Sequence, residues 1–533
     1  MSTQYAIGLD FGNYYSQPCI ITGMNLETKK GGTVRDLSEP TPNHKYGIPN
    51  AFFYHKAKFG GKPICGEQAA KATPPSNCYR YLKRDMLDKN GAPNSVTIDG
   101  RTFSYDEMIT AAAQYALRVA AAQLDKQFHI TTNLVSLAYP ASIGGNAKNH
   151  LVKLIEQATL LDGQHFKVVG TIAEPAAAAL DYLAQDNTQK EQTILAYDFG
   201  AGTFDVSVVS VYPDGRKRAD GSVYYYDIHC TDGYPNLGGS EIDKIMIQML
   251  QEKAGADAKN PSVALAIRTS AEDVKLELSA PSAEYVYPEI ILENGDYMGE
   301  IKRSDFEARI RPVIQKTVDL VEQTMKNPAC PKIDRIVLTG GSSQIPLVKR
   351  MLQERFPAYR DKIGSHNPSK AIGAGAARYG TVESGPVPRF PKPDLIDNMD
   401  SRVKNTVVVR TIRDLGIRFF EDKNDKKGYV TIYVPSGTEI PFVSEVISYS
   451  KLGTSRKSRF SVFEATKSNP NLREPDRDFA LVCNFDHDHE ALRFKGYSNK
   501  SRIIIDEKHL FTLEVMDKGK APKRYPFKVK ILE

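Results

Sequence analysis

Two aspartates stand in nearly the same phrase at distant points of the chain. The first phrase reads Ile7-Gly8-Leu9-Asp10-Phe11-Gly12-Asn13, and the second Leu195-Ala196-Tyr197-Asp198-Phe199-Gly200-Ala201-Gly202-Thr203-Phe204-Asp205. Each is an apolar run, then Asp-Phe-Gly, then small or polar residues, then a second apolar run (Pro18–Ile21; Val206–Val211). That order predicts strand, tight turn, strand. Glycine lets the turn backbone approach a ligand, and its N–H groups can cradle phosphate oxygens. An aspartate at the end of a strand can hold magnesium, directly or through water. A single Asp-x-Gly is often only a hairpin turn. Two copies, each opening a domain-sized half, predict facing hairpins that clamp the phosphates of one nucleotide. A third segment, Ile333–Pro346, reads as a buried strand, a turn at Gly340-Gly341, and a helix starting near Pro346. Its glycines permit close approach to a flat base and sugar.

These three segments resemble the phosphate-1, phosphate-2 and adenosine motifs of the 70-kDa heat-shock (DnaK-type) chaperones, within the actin and sugar-kinase superfamily. Thr171–Leu180 resembles that family's first connecting helix, and Asn367-Pro368 with Ala371–Ala377 its second. Gly233–Asp243 resembles its Gly-Asp-x-x-Leu-Gly-Gly-x-x-x-Asp segment, Glu272–Ser279 its adenine-binding helix, and Leu82-Lys83-Arg84 the site of its catalytic lysine. The matches run in family order over about the first 385 residues.

The resemblance implies ATP or ADP with Mg2+ as cofactors, with room for K+. Asp10 and Asp198 would hold the hydrated magnesium. Gly12, Asn13, Tyr14, Gly200, Ala201, Gly202 and Thr203 would line the phosphates, with Gly238 and Gly239 beside them. Lys83 would orient the attacking water and stabilise charge on the transferring phosphoryl group. Glu174 and Asp205 would set the metal waters and the nucleophile. Glu272, Lys275 and Ser279 would contact adenosine from one side, and Gly340, Gly341 and Ser342 from the other. This is the positioning and electrostatics that phosphoryl transfer requires.

The chain departs from the family in places. Asn13-Tyr14 stands where Thr-Thr is usual, so an amide and a phenol replace two hydroxyls near the phosphates. The phenol would either crowd the γ-phosphate or point away. Ala201 replaces a usual Gly, Gln344 a usual Arg and Ser369 a usual Asp. The expectation is an ATPase that is slow. The alternative is a slow or non-hydrolysing holdase or nucleotide-exchange regulator, like the 110-kDa relatives. A small-molecule kinase on the same superfold is a third reading, because fold alone does not fix function.

The elements that must position these residues follow from periodicity. Helices are expected at Tyr105–Gln127, Ala147–Leu161, Ser240–Ala254, Val263–Leu278 and Arg303–Lys326, and a strand at Asn133–Tyr139. Repeat plus helices predicts two α/β lobes, about 1–187 and 188–385, around a central cleft. Gly385–Pro393 holds four prolines in nine residues, so residues 386–402 are expected to be an extended linker. Beyond it, short β-branched or aromatic runs separated by turn residues predict an all-β sandwich over 403–533. The strands expected are Thr406–Ile412, Leu415–Glu421, Tyr429–Pro435, Glu445–Ser450, Arg459–Ala465, Phe479–Phe485, Arg502–Asp506, Phe511–Met516 and Phe527–Leu532. The fold class is thus a two-lobed actin-like ATPase domain followed by a β-sandwich. By resemblance that sandwich would bind unfolded or extended polypeptide, with a J-domain cochaperone or another chaperone as partner. Val407–Val409 would be the short apolar linker that docks on the nucleotide domain, with Arg410 where the family has Asp. The helical lid and acidic tail of the family are not expected.

At 533 residues the chain is too long for one core. No run is long and apolar enough for a membrane span. A first strand entered by Tyr5 leaves no room for a signal peptide. The six cysteines show no Cys-x-x-Cys, the pattern of a reducing compartment, and the cytoplasm is expected. From Asp394 onward there are 26 Lys+Arg against 21 Asp+Glu, so most of the net +6 lies in the last quarter. No dense basic block with interleaved aromatics occurs, so no nucleic-acid partner is expected. Asp486-His487-Asp488-His489-Glu490 reads as a polar hairpin turn more than as a metal site.

Overall fold

The computed structural model describes residues 3–38, 47–80, 82–85, 95–142, 145–186, 190–217, 223–327, 330–383, 407–410, 415–419, 429–435, 438–440, 442–450, 457–465, 479–488, 498–505, 511–517 and 521–527. The first lobe is a mixed sheet. Its antiparallel meander is β1 (Ile7–Phe11), β2 (Tyr15–Met24) and β3 (Gly31–Asp36), and β4 (Leu134–Tyr139) and β5 (Lys167–Ala173) add in parallel beside β1. The spatial order is β5-β4-β1-β2-β3. The near-continuous apolar runs of β1 and β4 are buried on both faces, as strands covered by helices require. Helices α1 (Tyr105–Phe128) and α2 (Gly145–Gln157) pack on this sheet, and the helical segment 373–377 lies against β1, where a Cβ on Gly8 would fall 2.1 Å from the Gly373 carbonyl oxygen. α1 starts at a capping box, in which Ser104 accepts from the Glu107 N–H and Glu107 accepts from the Ser104 N–H at 3.0 Å. It ends at His129, which adopts a left-handed conformation.

After α3 (Glu174–Gln185) the plan repeats. The meander β6 (Gln192–Phe199), β7 (Phe204–Lys217), β8 (Val223–Tyr234) is joined in parallel by β9 (Arg335–Thr339) and β10 (Ile363–Ser365). The helices of this lobe are α4 (Gly239–Ala254), α5 (Pro261–Leu278), α6 (Arg303–Met325) and α7 (Pro346–Arg355). Most expected elements thus stand within a few residues of their expected ends. The exception is α2, which stops at Gln157, because Ala158–Leu161 turns to form a bridge between Thr159 and His165.

α3 and α8 (Ala371–Gly380) cross between the lobes on an alanine-rich core that includes Ala176–Ala179, Ala371 and Ala376. A Cβ at Gly375 would lie 1.8 Å from the Ala177 carbonyl oxygen, so the crossing is closer than any larger residue permits. An ion pair ties the two helices: Arg378 donates to Asp181 at 2.8 Å, and neither side chain is exposed.

The last part of the chain is all β among its described residues. The strands are β11 (Val407–Arg410), β12 (Leu415–Phe419), β13 (Tyr429–Val434), β14 (Glu439–Ile440), β15 (Phe442–Val443), β16 (Ile447–Ser450), β17 (Lys457–Ala465), β18 (Phe479–Asp488), β19 (Ser498–Ile505), β20 (Phe511–Met516) and β21 (Lys523–Phe527). One sheet runs β13-β12-β17-β18. Another runs β15-β19-β20-β21, with β16 also on β19. Ile417, Val434 and Val462 of the first share an apolar cluster with Ile503, Leu513 and Val515 of the second.

One expectation needs correction. Of Thr406–Ile412, the described part, Val407–Arg410, does not join these sheets as a sandwich strand. As β11 it adds in parallel to β8 of the second lobe, Val407–Val409 facing Tyr226–Ile228, and its end pairs with β14, Val409 opposite Ile440 and Arg410 opposite Glu439. A strand at Lys523–Phe527 pairs with Phe511–Val515; of the strand expected at Phe527–Leu532, all but Phe527 lies outside the described residues. The proposed linker at 386–402 lies outside the described residues. Among those described, no helix is long and apolar enough to cross a membrane.

Candidate functional site

The two Asp-Phe-Gly turns close in the same way. The Gly12 N–H donates to the Tyr15 carbonyl at 3.0 Å, and the Gly200 N–H to the Thr203 carbonyl at 3.1 Å. The aspartates end β1 and β6, and Asp198 sits opposite Asp205 across the β6–β7 ladder. The turns are braced from outside. The Asn50 amide donates to the Gly12 carbonyl at 2.6 Å, and the Asn50 N–H to the Tyr14 carbonyl at 2.7 Å. The N–H groups of Gly239 and Ser240, at the start of α4, donate to the carbonyls of Gly200 and Ala201 at 2.9 and 2.7 Å. The Ser342 hydroxyl donates to the same Gly200 carbonyl at 2.9 Å. Gly239 and Ser342 therefore shape the second turn. Gly238 also packs on it, since a Cβ there would lie 2.6 Å from the Gly202 backbone.

Between the turns lies a buried cluster of charge. Lys83 and Glu174 form an ion pair at 2.5 Å, and both are buried. Asp205 accepts from the Ser142 N–H at 2.7 Å. Burial, then the charge of Glu174, pushes the Asp10 carboxyl up to about 7, against the opposing pull of Lys83. Burial, then Glu174, raises Asp205 to about 7, while hydrogen bonds from Ser142 and Thr203 resist. Asp198 is raised well above the carboxylate range by burial, then by Glu174, Asp205 and Asp10. Four carboxylates from both lobes thus repel one another around one lysine.

Two of their buried oxygens, Asp198 Oδ1 and Asp205 Oδ2, have no hydrogen-bond partner. Orphaned buried acceptors are costly and mark a missing partner such as water or an ion. Among the described residues no three acidic, histidine or cysteine side chains converge closely enough to ligate one ion directly. The cluster therefore fits a hydrated cation, reached through its waters. Gly340 lies against it with φ +78°, and a Cβ there would meet Asp198 Oδ1 at 2.6 Å, so this turn requires glycine. Gly341 faces open space, with nothing within 4 Å of a Cβ position.

On the nucleoside side, Lys275 of α5 is buried and donates to Asp243 of α4 at 2.6 Å. Glu272, one turn away, is raised by burial, with Lys275 pulling the other way. The Ser279 hydroxyl donates to the Lys275 carbonyl at 2.7 Å, closing the end of its own helix. Asn13 and Tyr14 reach across to the second lobe. A Cβ on Gly202 would lie 2.0 Å from Asn13 Nδ2, and the Tyr14 hydroxyl donates to Asp243 Oδ2 at 3.2 Å.

The fold thus brings together Asp10, Lys83, Glu174, Asp198, Thr203 and Asp205, from both halves of the chain. Sequence reasoning missed Asn50 and Ser142. Nothing near Asn50 signals its role, because it acts by bracing backbone across the sheet. Asp243 ends a segment quoted for its glycines, and its spacing from Lys275 on another helix could not be read. Of the polar run 486–490, the described part is structural. His487 is buried and bonds the Tyr525 hydroxyl at 2.6 Å and Asp517 at 3.1 Å, while Asp486 pairs with Arg459.

Residues 153–399 match the family model described as Hsp70 protein. A ribosome-associated molecular chaperone of Candida glabrata is 32% identical over 412 residues, covering 72% of this chain and 62% of that relative. The chaperone protein DnaK of Thermotoga neapolitana is 27% identical over 405 residues, covering 72% of this chain and 60% of that one. A ribosome-associated molecular chaperone of Saccharomyces cerevisiae is 32% identical over 226 residues, 41% of this chain and 35% of the relative. The chain thus spans less than two thirds of the length of the curated relatives it matches.

Proposed function

We propose that this chain is an ATP-dependent chaperone of the 70-kDa heat-shock type, the family whose model matches residues 153–399 and whose members it resembles. It binds unfolded or extended polypeptide under control of ATP binding and slow hydrolysis, in the cytoplasm, with a J-domain protein or another chaperone as partner. The observation that carries this reading is the buried carboxylate cluster with its two orphaned oxygens, held where two glycine turns meet.

Asp10 and Asp198 would hold hydrated magnesium, which would neutralise charge on the phosphate oxygens. The turns at Gly12–Tyr14 and Gly200–Thr203 hold the phosphates, with Gly238 and Gly239 fixing the second turn. Glu272, Lys275 and Ser279 face Gly340, Gly341 and Ser342 around adenosine. Glu174 fixes the Lys83 ammonium, which stabilises developing charge on the transferring phosphoryl group. Asp205, with a carboxyl near 7 and an unpartnered Oδ2, orients the attacking water and can take its proton at neutral pH. The two C-terminal sheets, with their shared apolar cluster, form the sandwich that takes an extended segment by strand-edge hydrogen bonding and one buried side chain.

Single-turnover hydrolysis of pre-bound ATP, with and without magnesium, tests this. Magnesium-dependent conversion to ADP is the expected result. Stable retention of ATP with no conversion would instead make the nucleotide a structural ligand and the protein a passive holdase or exchange regulator.

A further inference from the structure

We propose that Tyr14 is a strap across the cleft that sets how long a nucleotide stays bound, whether ADP or ATP. The inference rests on the nucleotide reading of the site and adds to it a positioning residue at Tyr14, where the resembled family usually has Thr.

Tyr14 is fastened at both ends. Its backbone carbonyl accepts from the Asn50 N–H at 2.7 Å, and the Asn50 side chain grips the Gly12 carbonyl at 2.6 Å, so the residue is anchored in the first lobe. Its hydroxyl donates to Asp243 Oδ2 at 3.2 Å, on α4 of the second lobe. The other oxygen of that carboxylate accepts from Lys275 at 2.6 Å. Asp243 is thereby fixed between two helices of the second lobe, and the tyrosine bonds a charged acceptor in a buried setting. All three residues are under a tenth exposed. The neighbouring Asn13 packs its amide against Gly202 of the second turn, where even one added carbon would collide with it.

A short hydroxyl at position 14 could not span this gap; a phenol does. The lobes are therefore held together by contacts between protein groups, in addition to whatever a nucleotide contributes. A nucleotide can leave only when the lobes part, and parting breaks the Tyr14–Asp243 bond. Because that bond involves no phosphate, it slows release of ADP and ATP by the same factor. The bond adds the same closing tendency in both nucleotide states and leaves the difference between them to the γ-phosphate.

The test is stopped-flow release of fluorescent N-methylanthraniloyl ADP and ATP from the intact chain, comparing wild type with Tyr14→Phe. Removing one hydrogen bond to a charged group predicts release about tenfold faster for both nucleotides. Asp243→Asn and the double variant complete a cycle. If the two residues act through one bond, Tyr14→Phe adds little once Asp243 is changed. Release at the wild-type rate in Tyr14→Phe, acceleration for only one nucleotide, or fully additive effects would each overturn the strap. Failure of the wild type to bind either nucleotide would overturn the site itself. Tight binding with an inert Tyr14→Phe would sink the strap and leave the site standing.

Discussion

Lys83 is paired in a buried setting with Glu174, and around them stand three further acids whose carboxyls burial and mutual repulsion raise above the ordinary range. A lysine so placed acts on charge that develops during reaction more than on charge already present. Lys83→Ala should cut single-turnover hydrolysis by about two to four powers of ten, as loss of one transition-state donor does. Calorimetric ATP affinity should change little. Hydrolysis at the wild-type rate would mean that another cation does this work. The two aspartates that end β1 and β6 predict a different signature. Asp10→Asn or Asp198→Asn should weaken nucleotide binding in magnesium far more than in its absence, measured by titration with and without chelator. These residues were legible because Asp-Phe-Gly occurs twice and the type of each residue states its chemistry. The direction of Tyr14 was not, because it depends on where α4 lies relative to a turn in the other lobe.

Among the elements, the crossing of α3 and α8 carries a fully buried ion pair. Asp181 lies wholly buried, bonded to Arg378 at 2.8 Å and to His366 at 2.9 Å. Burial alone would raise its carboxyl. The His366 hydrogen bond and the Arg378 charge overcome that, and the net shift is below the ordinary value. A depressed acid stabilises the fold above the unfolded value of about 4, and that contribution is lost as pH falls through the lowered one. Asp181→Asn should therefore destabilise by about 3–5 kcal/mol at neutral pH, the usual effect of stranding one member of a buried pair. It should also flatten the acid limb of a melting-temperature profile. Replacing both partners with apolar residues, Asp181→Leu with Arg378→Met, should restore most of the loss. An Asp181→Asn protein that melts like wild type would show the pair to be idle. The resemblance marked these two segments as connecting helices, whereas the ion pair could not be read, since its members lie on helices far apart in sequence. β11 is a second case. Its three valines predict a strand, yet whether it pairs with the C-terminal sheets or with β8 is decided by long-range packing. Val408→Pro removes an N–H from the middle of that strand. It should uncouple the two ends of the molecule while leaving ATP affinity intact.

At the scale of the whole molecule, one sheet runs from the second lobe through β11 to β14, so the nucleotide lobes and the C-terminal strands share a hydrogen-bonded edge. Two lobes of one plan follow from the repeated phrase and the helical periodicity, and alternation foretold most of the C-terminal strands. What alternation cannot supply is strand partnership, because any half-buried strand satisfies the same pattern. The proposed chaperone activity requires that nucleotide in the cleft control peptide binding at the other end. Fluorescence anisotropy of a labelled apolar peptide on the intact chain, in ADP and then in ATP with magnesium, tests it directly. Peptide should dissociate faster and bind more weakly in ATP than in ADP; equal binding in both would rule out nucleotide control.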